Sequence, residues 1–189
     1  MAQKRKDWNG LISGFKASDL VFLDESGCNT DMTRRYAYSL GGSRAVDSAP
    51  LSKPKNTTIL SSIQLDGTLR YTTFSGGTTV ERFKRYLETD LLPHLNGNSV
   101  LIMDNMKSHH AKAVRNLLDS SGVRYIYLPP YSPDLNPIEK LWSKVKSFLR
   151  KFKARTLDAL PNAIQCAFQT VSPSDCSGWF HSCGHSPYF

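Results

Sequence analysis

The apolar positions of this chain fall into two kinds of pattern, short unbroken runs and longer stretches at helical spacing. Leu20-Val21-Phe22-Leu23, closed by Asp24-Glu25, and Val100-Leu101-Ile102-Met103, closed by Asp104, are runs without alternation, which predicts short strands buried on both faces. Residues 57–64 and 69–74 flank Leu65-Asp66-Gly67-Thr68, where Asp-Gly predicts the turn of an antiparallel hairpin. Residues 123–128 predict a last strand, and 36–40 a short one inside the loop-rich, basic stretch 26–56, which carries Arg34, Arg35, Arg44, Lys53 and Lys55.

The helical stretches are as distinct. Ile138, Leu141, Trp142, Val145, Phe148, Leu149 and Phe152 recur at three- and four-residue spacing and predict an amphipathic helix. Ahead of it Pro129, Pro130, Pro133 and Pro137 make a stiff spacer, with Asn136 as the expected N-cap and Pro137 at the first helical position. Val80, Phe83, Leu87 and Leu91 predict a helix capped by Thr79 and stopped by Pro93. A further helix from about 110 to 118 turns Ala113, Val114, Leu117 and Leu118 inward and ends before Gly122, and another runs from 156 to about 171. Trp8, Leu11, Ile12 and Phe15 predict a short amphipathic helix within 1–18, and 172–189 reads as an irregular arm. The order of elements is α/β with mixed strand directions.

At 189 residues, 40% hydrophobic and 21% charged, the chain suits one soluble domain. It has no apolar run long enough for a membrane span and no signal core after Met1-Ala2-Gln3-Lys4, so the expected location is cytoplasmic, at the nucleoid in a bacterium. The scattered Cys28, Cys166, Cys176 and Cys183 predict reduced thiols rather than a disulfide framework. A net charge of +8 attracts polyanions, nucleic acid first among them, although a solvated lysine-rich face produces the same number.

Three acids carry the candidate chemistry. Asp24 and Asp104 each close an apolar strand, and strand ends of open α/β sheets are where ligands bind. Either could instead be a turn former, and Glu139, three residues after Asn136, could be the back-bonding partner of a capping box. Taken together they read as metal ligands, because neighbouring carboxylates repel one another and a cation removes that cost. All-oxygen donors favour Mg²⁺ or Mn²⁺, and a pair of such ions about 3.5–4 Å apart suits in-line displacement at phosphorus. Cys176, His181, Cys183 and His185 can be sketched as zinc ligands, but their spacing fits no common zinc pattern.

Leu23-Asp24-Glu25-Ser26-Gly27, Met103-Asp104-Asn105 with His109, and the run from Tyr127 through Pro129-Pro130-Tyr131-Ser132-Pro133-Asp134-Leu135-Asn136-Pro137-Ile138-Glu139 resemble the catalytic domain of DDE transposases. The branch is the bacterial insertion-sequence branch of the mariner superfamily, with 34 residues between Asp104 and Glu139. The resemblance implies a ribonuclease-H-like mixed sheet flanked by helices over residues 19–171, similar in core to retroviral integrase. It further implies that Asp24, Asp104 and Glu139 are the catalytic, metal-binding triad for Mg²⁺ or Mn²⁺, two ions in all, with Asn105 and His109 in support. The implied reaction is metal-dependent cleavage at transposon ends followed by attack of the freed 3′-hydroxyl on target DNA. Lys140, Lys144, Lys146, Arg150 and Lys151 on the 138–152 helix, with Lys153 beyond it, are then expected to contact DNA phosphates. Relatives carry an N-terminal helix-turn-helix region, so residues 1–18 are expected to be the remnant of a linker or helix, 172–189 a C-terminal arm, and the partners a second copy or a separately encoded recognition half. Two alternatives stand beside this reading: an inactive remnant that binds DNA non-specifically, and a ribonuclease-H-like nuclease acting on another nucleic acid.

Overall fold

In the computed structural model, which describes residues 2–34, 36–48, 50 and 54–185, five strands form one sheet in the order β3-β2-β1-β4-β5. The strands are β1 (Leu20–Cys28), β2 (Thr57–Gln64), β3 (Leu69–Ser75), β4 (Val100–Met103) and β5 (Arg124–Tyr127). β1, β2 and β3 pair antiparallel, while β1–β4 and β4–β5 are parallel, so the sheet is mixed as the sequence predicts. Among the described residues six α-helices flank it: α1 (Ala2–Ile12), α2 (Val80–Tyr86), α3 (Lys112–Ser121), α4 (Ile138–Phe152), α5 (Ala159–Gln169) and α6 (Pro173–Ser182).

The unbroken apolar runs have the reason given for them. Side chains alternate across a strand, and both faces of this sheet are covered. Leu20, Phe22, Val100 and Ile102 pack with α1, α4, α5 and α6, while Val21, Leu23, Leu101 and Met103 pack with α2 and α3. In α4 the stripe buries Ile138, Leu141, Trp142, Val145 and Leu149, with Phe152 left exposed at the far end.

Several elements differ from expectation. β1 runs on to Cys28 because β2 pairs with it that far, so Asp24 lies within the strand rather than at its end. Residues 36–40 form no strand; no sheet edge pairs with them, and Tyr36 and Tyr38 stand in solvent. Arg35 and Lys53 of that loop lie outside the described residues. The helix after Thr79, whose hydroxyl accepts from Arg82 N as expected of a cap, loosens into a π turn over Leu87–Leu91 and a 3-10 turn over Leu92–His94 on reaching Pro93. α3 starts at Lys112 and leaves Ala113 outward, although Gly122, at φ 71°, ends it as predicted. α5 begins at Ala159, where Thr156 accepts from the Ala159 amide.

The expected irregular arm is a helix. Ser172 and Asp175 form a complete capping box around Pro173, the start signal that the glycine- and serine-rich composition concealed. Behind it Cys176 and Phe180 are fully buried against the sheet, with Phe180 edge-on to Phe22 at 5.4 Å. Residues 186–189 of the arm lie outside the described residues. Because α6 is part of the core, Phe180→Ala is expected to cost about 3–5 kcal/mol in urea denaturation. A loss under about 0.5 kcal/mol, typical of a surface position, would show that the segment is only an appendage.

Candidate active site

The parallel ladder between β1 and β4 ends with Leu23 opposite Met103, so the next residues on the two strands are Asp24 and Asp104. By strand alternation both share the face of Phe22 and Ile102, the face on which α4 packs. Asp24 is 9% exposed, Asp104 more open, and both line a pocket of about 440 Å³ whose other wall is the loop 128–133 with Asn136 and Glu139.

That loop is pinned at several points. The Leu128 amide donates to Met103 O at 2.9 Å, and the Asn105 side-chain amide donates to Leu128 O. Arg5 of α1 pairs with Asp134 and reaches Ser132 Oγ at 3.2 Å, while His185 Nε2 lies 2.9 Å from Leu135 O. Tyr131, 88% exposed at the pocket mouth, is held at φ 56°, an uncommon conformation for a side chain of its size. α4 starts at Ile138 with Pro137 in the cap position. The Glu139 amide donates to the Asn136 carbonyl at 3.1 Å, but the Asn136 side chain makes no cap bond, and its Oδ1 is buried without a partner. The capping box is therefore not formed, and Glu139 projects exposed from the first turn of α4 along the pocket wall.

One turn further along α4, Trp142 donates its indole N–H to Asp24 Oδ2 at 3.0 Å. The same helix that carries the third acid thus holds the first. In the sequence Trp142 is only part of the apolar stripe, and nothing in the spacing says that its polar edge meets an aspartate. Burial pushes the Asp24 carboxyl up to about 7, against the lowering pull of the Glu25 amide and the Trp142 indole, and the charges of Glu25 and Asp104 push it the same way as burial.

The second aspartate has a counter-charge. His109 is fully buried, stacked on Phe83 at 4.2 Å, with Nδ1 2.8 Å from Asp104 Oδ1 and Nε2 3.1 Å from Glu25 Oε1. Burial alone would lower the His109 pKa, but its hydrogen bonds and charge contacts with Asp104 and Glu25 outweigh burial and raise it to about 9. Asp104 is shifted down: burial opposes its ionisation, yet the bonds from His109 and the Met106 amide prevail. Asn105 also lines the pocket, with its Nδ2 on Leu128 O and its Oδ1 3.2 Å from His110 Nε2, so it braces the β4 end against the loop. Glu25, in the sequence only part of a strand-bounding pair, is a fourth acid that lies behind the pocket, outside its lining, and touches His109.

The expected DNA contacts divide. Lys140, Lys144 and Lys151 line one groove with Ser143, Phe148 and Trp179, though Lys144 is already bound to Asp175 at 2.6 Å. Arg150 and Lys151 line a neighbouring groove with Arg34 and Tyr36. Lys146 lies on another side, near Cys28, and Lys153 is paired with Asp47 at 2.6 Å. The zinc sketch meets a different arrangement: His185 is packed between Trp8 and Phe22 on the Leu135 carbonyl, and Cys176 and Cys183 are buried thiols. Among the described residues no group of three or more His, Cys, Asp or Glu side chains is drawn together closely enough to hold an ion, and no helix is long and apolar enough to cross a membrane.

Residues 19–161 match the family model of the DDE superfamily endonucleases. The chain belongs to that superfamily. The Tc1 transposase of Caenorhabditis elegans is 29% identical over 97 residues, which are 49% of this chain and 36% of that protein. The pre-cleavage Mos1 transpososome superposes with a TM-score of 0.82 at 19% identity, over 97% of this chain and 59% of the Mos1 chain. The Mos1 mariner paired-end complex with Mn gives 0.75 at 20% identity, over 96% and 58%. The ribonuclease-H-like fold of this DDE domain follows from those superpositions, and the chain spans little more than half the length of the Mos1 protein.

Because burial holds the Asp24 proton to about pH 7, this carboxyl without divalent ion is more protonated in the folded domain than in the unfolded chain between about pH 4 and 7. This group's contribution to stability therefore falls as pH rises through that window. Trp142→Phe removes a donor that favours the carboxylate, so the Asp24 titration followed by carboxyl NMR should move to higher pH. A midpoint near 4 in the wild-type protein would contradict the burial argument.

Proposed function

We propose that this DDE domain cleaves DNA phosphodiester bonds at the ends of a mobile element and joins the freed 3′-hydroxyl to target DNA, with Asp24, Asp104 and Glu139 holding Mg²⁺ or Mn²⁺, two ions in all. The observation that carries the reading is the register that sets Asp24 beside Asp104 with Glu139 on the wall of the same pocket. The donors suit such ions: three carboxylates and no thiol or free imidazole, an Asp24 whose raised pKa a cation would relieve, and a buried Asn136 Oδ1 with no partner in the pocket wall. Glu139, exposed on the first turn, is the ligand with freedom to swing inward. When bound, the ions would lower the pKa of the attacking oxygen and stabilise charge on the leaving one.

The chain's own residues do the rest. Trp142 orients Asp24, His109 and the Met106 amide orient Asp104, and the pinned loop sets where α4 begins. Lys140 and Lys151 offer charge to a duplex lying along the α4 groove. In the cleavage step a water oxygen gives up a proton and bonds to phosphorus while the 3′ oxygen departs and takes a proton up; in the joining step that 3′-hydroxyl oxygen gives up its proton and bonds to a target phosphorus while the target's own 3′ oxygen departs and takes a proton up. Mos1 complexes with transposon ends and with Mn support DNA and a divalent ion as partners here. A second copy of the chain or a separately encoded helix-turn-helix half is the further partner expected.

Calorimetric titration of Mn²⁺ in the presence of a short duplex, wild type beside Glu139→Gln, is the direct test. Loss or marked weakening of binding in the variant supports the triad; equal binding would mean that Glu139 ligates nothing. A protein that binds duplex but, like its Asp104→Ala variant, never releases a cleaved strand would be an inactive DNA-binding remnant, and preference for an RNA–DNA hybrid would favour the nuclease reading. Lys140→Ala and Lys151→Ala should each reduce the salt slope of duplex affinity by roughly one, and unchanged slopes would remove the α4 groove from the interface.

A further inference from the structure

Glu25 is a buried acid beside the site that the reaction does not use. Strand alternation turns it to the opposite face of β1 from Asp24, the face of Val21 and Leu23, where its side chain is 7% exposed. There its Oε1 meets His109 Nε2 at 3.1 Å, and its Oε2 is buried with no partner. A carboxylate in such a place is costly unless it is matched by an opposite charge and hydrogen bonds.

What it matches is a ring with no freedom of its own. His109 is stacked on Phe83, its carbonyl accepts from Tyr127 Oη at 3.0 Å, and its two ring nitrogens face two carboxylates. On the Asp104 side both hydrogen bonds, from His109 Nδ1 at 2.8 Å and from the Met106 amide at 2.9 Å, fall on Oδ1. Oδ2 is the oxygen left for a ligand in the pocket.

We infer that Glu25 is a positioning residue for the acidic centre: through His109 it fixes the Asp104 carboxylate so that Oδ1 is occupied from behind and Oδ2 faces the pocket. The inference rests on the metal reading above. It extends the order Asp104–His109 seen in the motif by one residue, supplied by β1 from the other face of the sheet. Outer partners of metal ligands typically govern affinity by about 10–100-fold.

The test is Mn²⁺ affinity by calorimetry, with thermal melts recorded without added ion. Glu25→Ala and Glu25→Asp, the latter keeping the charge but withdrawing the oxygen by one methylene, should each weaken Mn²⁺ binding roughly tenfold or more. Glu25→Gln, which retains an acceptor oxygen at the same reach, should stay within about threefold of wild type. A purely structural ion pair would lower the melting temperature in Ala and Asp variants while leaving Mn²⁺ affinity of the folded protein unchanged, and that result overturns the inference. So does a Glu25→Gln variant as weak as Glu25→Ala. If Glu25→Ala fails to fold, Glu25→Asp decides. Asp104→Ala run alongside separates the two claims: if wild type binds no Mn²⁺, or Asp104→Ala binds as well as wild type, the metal reading fails and takes this inference with it, whereas weakening in Asp104→Ala with none in the Glu25 variants sinks the inference alone.

Discussion

The site depends first on a register. A parallel pair fixes which residues stand side by side, and a slip of one position would turn every side chain of the shifted strand to the other face. Here Phe22 opposite Ile102 and Leu23 opposite Met103 are locked by burial on both faces, so Asp24 and Asp104 have to follow side by side where the ladder stops. The position of two acids is therefore set by apolar residues that touch no ligand. β2 keeps β1 straight beyond that point, which lets Asp24 stay in an ordered backbone while β4 leaves the sheet.

Putting acids together at the edge of a core has an electrostatic cost, and the surroundings meet it unequally. Asp104 is given a protonated imidazole and a backbone amide and is held ionised. Asp24 is given an indole and its neighbour's amide, and burial wins, so its proton stays on to about pH 7. That asymmetry is informative about function. A site built only for stability would pair each buried acid or replace it by an apolar side chain, whereas one poised for a cation can leave an acid under-compensated. The Trp142 bond keeps the Asp24 carboxyl in place meanwhile.

Much of this was legible in the residues. The two apolar runs, the Asp-Gly hairpin, the α4 stripe and the Gly122 stop follow from periodicity and turn chemistry, and the three motif acids do line one pocket. What stayed hidden was of two kinds. Local signals were masked by composition, as with the capping box of α6 among serines and glycines, or supplied by composition without a partner, as with residues 36–40, which have strand-like residues but no edge to pair with. The rest is long-range. Glu25 and His109 are 84 positions apart and Trp142 and Asp24 118, and no spacing rule along one chain reports which polar edge crosses a sheet to meet another. The α4 lysines show the same limit: helical periodicity puts Lys144 and Lys140 on one side, yet only the fold reveals that Asp175 has taken Lys144.

The third acid brings these lines together. Four prolines stiffen the connector 128–137, but stiffness fixes a segment's shape and leaves its direction open. Its direction comes from contacts at both ends of the chain: Arg5 of α1 on Asp134 and Ser132, and His185 after α6 on the Leu135 carbonyl, with Trp8 edge-on to the same imidazole at 5.7 Å. These two segments look peripheral in sequence, one a short polar helix and the other a serine- and glycine-rich tail. In the fold they meet at the loop that leads into α4 and Glu139. The burial of Trp8, Phe180 and His185 thus bears on the acidic pocket as well as on stability, because it seats the segments whose Arg5 and His185 hold the loop leading into α4.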